Sequence, residues 1–301
     1  MNWFLLALIA PLAWSIANYI DKFLLSLGEN NESESGGLMI LSSLVSLVVA
    51  LGVFLVHGNS VLTLDSQFVG VLILSGIFEA LYILFYFWAL ERESTTTVIS
   101  LFQFAPITGL LFGFLLLREV PTGMQIVAVV LILVGTLCIV WKKGEAKMKG
   151  SVLLLMLVST AFVGIYNTLF KLVAEQTPFW AAIFWQYVGI GIVGFLLFIA
   201  IPLYRKQTLH MIRRKTLGLT TLAEIMNILA LLATNAAILL APVAIVLSIS
   251  SVQPIFVLVE GLLIVRFFPK LLNESEKPTL KATYILGILL VCVGGFLVYF
   301  F

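Results

Sequence analysis

Apolar residues gather in ten runs separated by short polar segments: 3–25, 38–56, 67–90, 95–117, 123–141, 151–174, 179–201, 217–240, 243–265 and 282–301. Each run is long enough to cross a hydrocarbon layer of roughly 30 Å, which takes a helix of about 20 residues. The runs are continuously apolar instead of alternating between two faces, so they predict helices and not the strands of a barrel. No basic residue precedes the first run and no small-residue cleavage site follows it, so it is expected to stay in the mature chain.

Composition supports this reading. The 301 residues are 61% hydrophobic and 11% charged, against roughly 45–50% and about 25% in a soluble domain. A soluble core could not hide that much apolar surface, and the predicted fold class is an all-α integral membrane protein of about ten transmembrane helices. Net charge is only +2, but its placement is lopsided. The odd-numbered loops from the third onward carry Arg92, then Lys142, Lys143, Lys147 and Lys149, then Arg205, Lys206, Arg213, Arg214 and Lys215, then Arg266, Lys270, Lys277 and Lys281. The even loops hold Arg118 and little else. Basic residues collect on the cytoplasmic side, which predicts a multi-pass cell-membrane protein with its odd loops in the cytoplasm and both ends outside. In a soluble protein such clusters would suggest nucleic acid. Beside apolar spans they read as topology anchors facing anionic lipid, and no nucleic-acid partner is expected.

Several chemistries find no support. His57 and His210 stand alone in loops without metal-ligand spacing, so neither a metal nor another cofactor is expected. Cys138 and Cys292 fall inside predicted helices and read as packing residues. An intramembrane enzyme would need a nucleophile, base or metal at one depth, and no such set is visible.

The chain repeats itself. Asn18 and Lys22 recur as Asn167 and Lys171, 149 residues on, and Ser100 and Pro106 recur as Ser248 and Pro254, 148 residues on. Ala128 and Gly135 match Gly287 and Gly294, the spacing having grown through a longer loop around Leu272. These landmarks predict a first five-helix repeat over 1–141, a basic linker over 142–150 and a second repeat over 151–301. Five is odd, so the second copy enters the membrane from the opposite side. Substrate sites of such inverted repeats lie near the midplane, where the halves meet around a central cavity. Pro106 and Pro254 each occupy the twelfth position of their predicted helix, where a missing donor bends or unwinds the backbone. Either a packing kink or a functional bend fits.

Polar residues at membrane depth supply the candidate site. Glu79 is the deepest carboxylate, placed either to exchange a proton during transport or to clamp a neighbouring helix. Glu224 lies one turn before Asn227, and Glu79 maps onto Asn227 in the second copy. Glu260 lies near the cytoplasmic end and reads as reaching water or Arg266. Asn18, Asp21 and Lys22 share one helical face. Lys22 and Lys171 could extend to the interface by snorkelling, while Asn18 and Asn167 could bind solute or hold helices together. Trp88 and Trp141 read as interfacial anchors. Tyr82 and Tyr86 sit one and two turns from Glu79, where rings beside an acid suit an organic cation, although such rings are more often packing. Gln103, Gln186, Asn235 and Gln253 complete a polar lining.

The stretch from Ala105 to Thr122, a mid-helix proline followed by an apolar run ending in Arg118-Glu119, resembles the ten-helix EamA-type transporters of the drug/metabolite transporter superfamily. The second copy beginning at Gln253-Pro254-Ile255, the small-residue helices with Gly135 and Gly294, and the opening Ala13-Trp14-Ser15-Ile16-Ala17-Asn18 are similar to that family as well. The resemblance implies a basket of helices 1, 3, 4, 6, 8 and 9 around a cavity, with helices 2, 5, 7 and 10 outside or bracing. It also implies cytoplasmic termini, the reverse of the charge bias. The second copy has Val265-Arg266 in place of Arg-Glu, so Glu119 reads as a structural or cap residue. Together these features predict a secondary transporter, exporter or exchanger of a small metabolite, working by alternating access as a monomer or homodimer, with proton coupling through Glu79 as an option. Efflux of hydrophobic cations and a non-transport membrane scaffold or lipid scramblase are the alternatives.

Overall fold

The computed structural model describes residues 3–27, 33–140, 149–213, 217–267 and 282–300. Lys142, Lys143, Lys147, Trp141, Arg214, Lys215, Lys270, Lys277, Lys281 and most of the predicted linker lie outside the described residues. Every regular element among the described residues is helical. Ten spans follow in order: α1 (Trp3–Leu25), α2 (Ser35–His57), α3 (Ser66–Arg92), α4 (Thr95–Leu117), α5 (Gly123–Val140), α6 (Gly150–Ala174), α7 (Phe179–Ala200), α8 (Leu217–Ile238), α9 (Val243–Phe267) and α10 (Ala282–Phe300). Eight of them are long and apolar enough to cross a membrane, and the described parts of α5 and α10 form shorter apolar helices. One membrane face, here the first, carries the start of α1 and the α2–α3, α4–α5, α6–α7 and α8–α9 connections. The second face carries the others.

The distribution of side chains is that of a protein dissolved in lipid. Val48, Leu55, Leu154, Phe195 and Ile199 are exposed on the outer surface, while Asp21, Glu79, Gln186 and Glu224 are buried. This inversion of the soluble pattern follows where the surrounding solvent is hydrocarbon and polar groups must find partners inside.

Packing between spans is nearly symmetric under exchange of the halves. α1 packs on α8 as α3 packs on α6, while α2 packs on α7, α4 on α9 and α5 on α10. At the α5–α10 crossing a Cβ on Gly135 would lie 2.7 Å from the Gly287 carbonyl oxygen, and one on Gly294 would lie 2.7 Å from that of Ala128. Exchanging Ala128 with Gly287 and Gly135 with Gly294 turns each of these contacts into the other. The crossing is thus its own image under exchange of α5 with α10.

One pair breaks the symmetry. α3 packs closely along α7, whereas the corresponding α2 and α8 barely touch. The structure also contains a helix that the hydropathy pattern leaves as loop. Pro202–Arg213, on the second face, is amphipathic and docks on the start of α2, where Gly37 N donates to Gln207 Oε1 at 3.1 Å.

Candidate functional site

Glu79 lies at the middle of α3 and is buried. Its Oε2 accepts a hydrogen bond from Gln186 Nε2 of α7 at 2.7 Å, and Gln186 Oε1 in turn accepts from Asn235 Nδ2 of α8 at 2.7 Å. All three side chains are buried, so the chain of bonds holds the carboxylate in one orientation without supplying a positive charge. Gln186 reaches Glu79 because α3 and α7 touch through glycine: a Cβ on Gly76 would sit 2.0 Å from the Gln186 carbonyl oxygen.

Two further carboxylates face the same space. Asp21 of α1 and Glu224 of α8 are within electrostatic reach of each other. Ser42 of α2 donates its hydroxyl to Glu224, and Tyr86 of α3 donates to Asn18 Oδ1 at 2.8 Å. Between these groups Tyr82 stacks on Tyr166, with ring centroids 5.5 Å apart, and meets Phe102 edge-on at 6.1 Å. The partly open cavity of about 90 Å³ is lined from every span except α5 and α10, and among the described residues none that lines it is Lys, Arg or His. Three lining atoms, Asn18 Nδ2, Asp21 Oδ1 and Tyr187 Oη, are buried without a hydrogen-bond partner among the described residues.

The two prolines shape this chamber symmetrically. A 3₁₀ turn, Phe102–Phe104, precedes Ala105-Pro106 in α4, and another, Ser250–Val252, precedes Gln253-Pro254 in α9. Proline lacks the donor that would continue the α-helical ladder, and its ring crowds the carbonyl four residues back, so the turn before it tightens. Gln103 and Gln253, lying in or just after these turns, both line the cavity.

Most of the sequence candidates meet here: Asn18, Glu79, Tyr82, Tyr86, Gln103, Glu224, Asn227 and Gln253 all line the cavity. Asn167 and Lys171 do not. Asn167 Nδ2 donates to Val163 O of its own helix at 2.9 Å. Lys171 Nζ points to the first face, donating to Glu119 Oε1 at 2.7 Å and Ala241 O at 2.9 Å. Its repeat counterpart Lys22 donates to Leu90 O at 2.6 Å and Glu93 O at 2.8 Å. Neither lysine snorkels outward, because helix-end and loop carbonyls within reach need donors. Glu260 does not turn to Arg266 but accepts from Ser15 Oγ of α1 at 2.8 Å.

Asp21, Ser42 and Tyr187 also line the cavity. Only Asp21 carried a signal in the sequence, its place on the Asn18 face. It lies four residues from the end of α1 and is buried. Likewise α2 and α7 line the chamber instead of bracing it, since the small Ser42 and Ser46 and the glycine contact of α7 let both approach.

No curated protein matches the chain in sequence. One solved crystal structure of a protein, 16% identical, superposes on 98% of this chain and 95% of that one with a TM-score of 0.59, which shows a shared fold. Residues 1–141, carrying Asn18, Glu79, Gln103 and Pro106, match the model of the EamA-like transporter family. That match identifies residues 1–141 as an EamA-like transporter segment, of the drug/metabolite transporter superfamily.

Proposed function

We propose that the chain moves a small positively charged metabolite through its central cavity by alternating access, in exchange for protons. One observation carries this reading: three buried carboxylates, Asp21, Glu79 and Glu224, share a chamber whose lining contains no cationic side chain among the described residues. An ionised carboxylate at such depth needs a compensating positive charge. The protein supplies none in the chamber, so the compensation comes either from a proton or from a cationic solute, and the two compete for the same groups.

Asn18 and Tyr187 offer polar contacts for the solute, and the ring faces of Tyr82 and Tyr166 suit its ammonium group. The repeat, divided as 1–141 and 151–301 about a basic linker, supplies two near-equivalent arrangements of the halves, one open to each side. With the basic second face in the cytoplasm, an inward proton gradient drives export. The aromatic lining supports a second reading, efflux of bulkier hydrophobic cations.

Uptake by the purified chain in liposomes tests the proposal, with tetraethylammonium as probe and the interior acidified or not. The pH gradient should drive uptake, and Glu79→Gln should lower gradient-driven uptake by about tenfold or more, the loss of roughly 1.4 kcal/mol of coupling. Uptake that ignores the gradient, or a variant equal to wild type, overturns proton exchange through Glu79.

A further inference from the structure

The two halves close the two faces with different hardware. In each half the lysine of the first span grips the junction of the third and fourth: Lys22 holds the carbonyls of Leu90 in the last turn of α3 and of Glu93 after it, and Lys171 holds that of Ala241. These contacts lie on opposite faces, as the inverted repeat requires. At the first face a further element is added. α4 ends in a π-helical turn, Gly113–Leu117, after which Arg118 takes a left-handed conformation with φ of 57° and Glu119 N bonds back to Gly113 O at 3.1 Å. That reversal turns the Glu119 side chain inward.

Its two carboxylate oxygens reach two different elements of the other half. Oε1 accepts from Lys171 Nζ of α6 at 2.7 Å, and Oε2 accepts from Val243 N, the first residue of α9, at 3.2 Å. A negative charge at a helix N-terminus is favourable in its own right, because the first backbone N–H groups have no intrahelical acceptor. Lys171 is largely buried and the Glu119 side chain is only 21% exposed, so water screens the pair weakly. One side chain of the first half therefore ties down two helices of the second. In the second copy Val265-Arg266 stands in place of Arg118-Glu119, and the exposed Phe267 lies 148 residues on from Glu119, so neither position offers a carboxylate to the second face.

The geometry points to Glu119 as a one-sided latch that holds the first face shut and must release Lys171 and the α9 N-terminus before the cavity opens there. This inference rests on the alternating-access reading. The latch explains why the polar groups of the chamber gather toward the second face, where Asp21 lies four residues from the end of α1 and Glu224 seven from the start of α8. Glu119 is not among the residues lining the cavity and positions the gate without binding solute.

The test follows Ser250→Cys, a cavity-lining position on α9, in full-length protein with Cys138 and Cys292 replaced by alanine, using a membrane-impermeant maleimide applied to each face. In the latched chain labelling should come mainly from the second face. Glu119→Gln, close to isosteric, and Lys171→Met, an independent route to the same release, should each raise first-face labelling by about tenfold, and Lys22→Met should not. Unchanged first-face labelling in both latch variants, while tetraethylammonium still shifts wild-type labelling between faces, overturns the latch and leaves the transport reading standing. First-face labelling that stays absent under every condition, with solute and with both variants, overturns alternating access itself.

Discussion

Gln186 on α7 donates its amide to the Glu79 carboxylate on α3 at 2.7 Å while accepting from Asn235 on α8 at 2.7 Å. A central acid is thereby oriented by neutral groups only and keeps its need for a positive charge. Gln186→Leu removes the donor to Glu79 and the acceptor for Asn235 together. Leaving buried partners unsatisfied costs about 1–3 kcal/mol, so the variant should melt earlier in detergent and lose gradient-driven uptake. A melting curve and uptake both matching wild type would show that the relay orients nothing.

Asp21 is the acid the sequence signals least, and it makes a separate prediction. Asp21→Asn removes one of two carboxylates that face each other across the chamber and leaves Glu224 held by Ser42. The variant should bind cationic probes more weakly than wild type while its thermal stability holds or rises, since a like-charged neighbour is gone. Isothermal titration and a melting curve measure the two quantities, and tighter cation binding would contradict the role assigned to Asp21.

Ring faces make the third prediction. Tyr82→Phe keeps the stacking on Tyr166 and should bind tetraethylammonium nearly as wild type does. Tyr82→Ala should weaken binding by about tenfold, within the range for a desolvated cation–ring contact. Equal loss in both variants would assign the effect to the hydroxyl.

The α5–α10 crossing gives a stability contrast. Gly135→Ala places a methyl 2.7 Å from the Gly287 carbonyl oxygen and should cost roughly 1–3 kcal/mol. A Cβ on Gly52 or Gly70 meets nothing within 4 Å, so Gly52→Ala and Gly70→Ala should be neutral or stabilising by about 0.4–1 kcal/mol. Melting temperatures that fail to separate Gly135 from these two would count against close packing at the crossing.

Much of this is legible in the sequence. Continuous apolar runs mark spans because lipid imposes length and apolarity on every one of them, and Asn18, Glu79, Gln103 and Pro106 were found because polar groups or prolines at that depth are costly without a use. The rest depends on facts a linear pattern does not carry. Lys171 and Lys22 look alike in sequence as snorkelling side chains, and only the helix-end and loop carbonyls beside them reveal that both turn inward. Glu119 reads as a cap until the π-helical turn and the left-handed Arg118 aim it across the halves. The Pro202–Arg213 helix escapes a hydropathy reading because it is short, basic and lies along the surface, where α2 covers its buried face.

The claim beneath all of these is that protons and a cation compete for the carboxylates of one chamber. The most direct measurement is proton release on adding tetraethylammonium to purified protein in weakly buffered detergent. The account predicts stoichiometric release that falls in Glu79→Gln and disappears when Asp21→Asn and Glu224→Gln are added. Saturable binding of the cation with no protons released would contradict it.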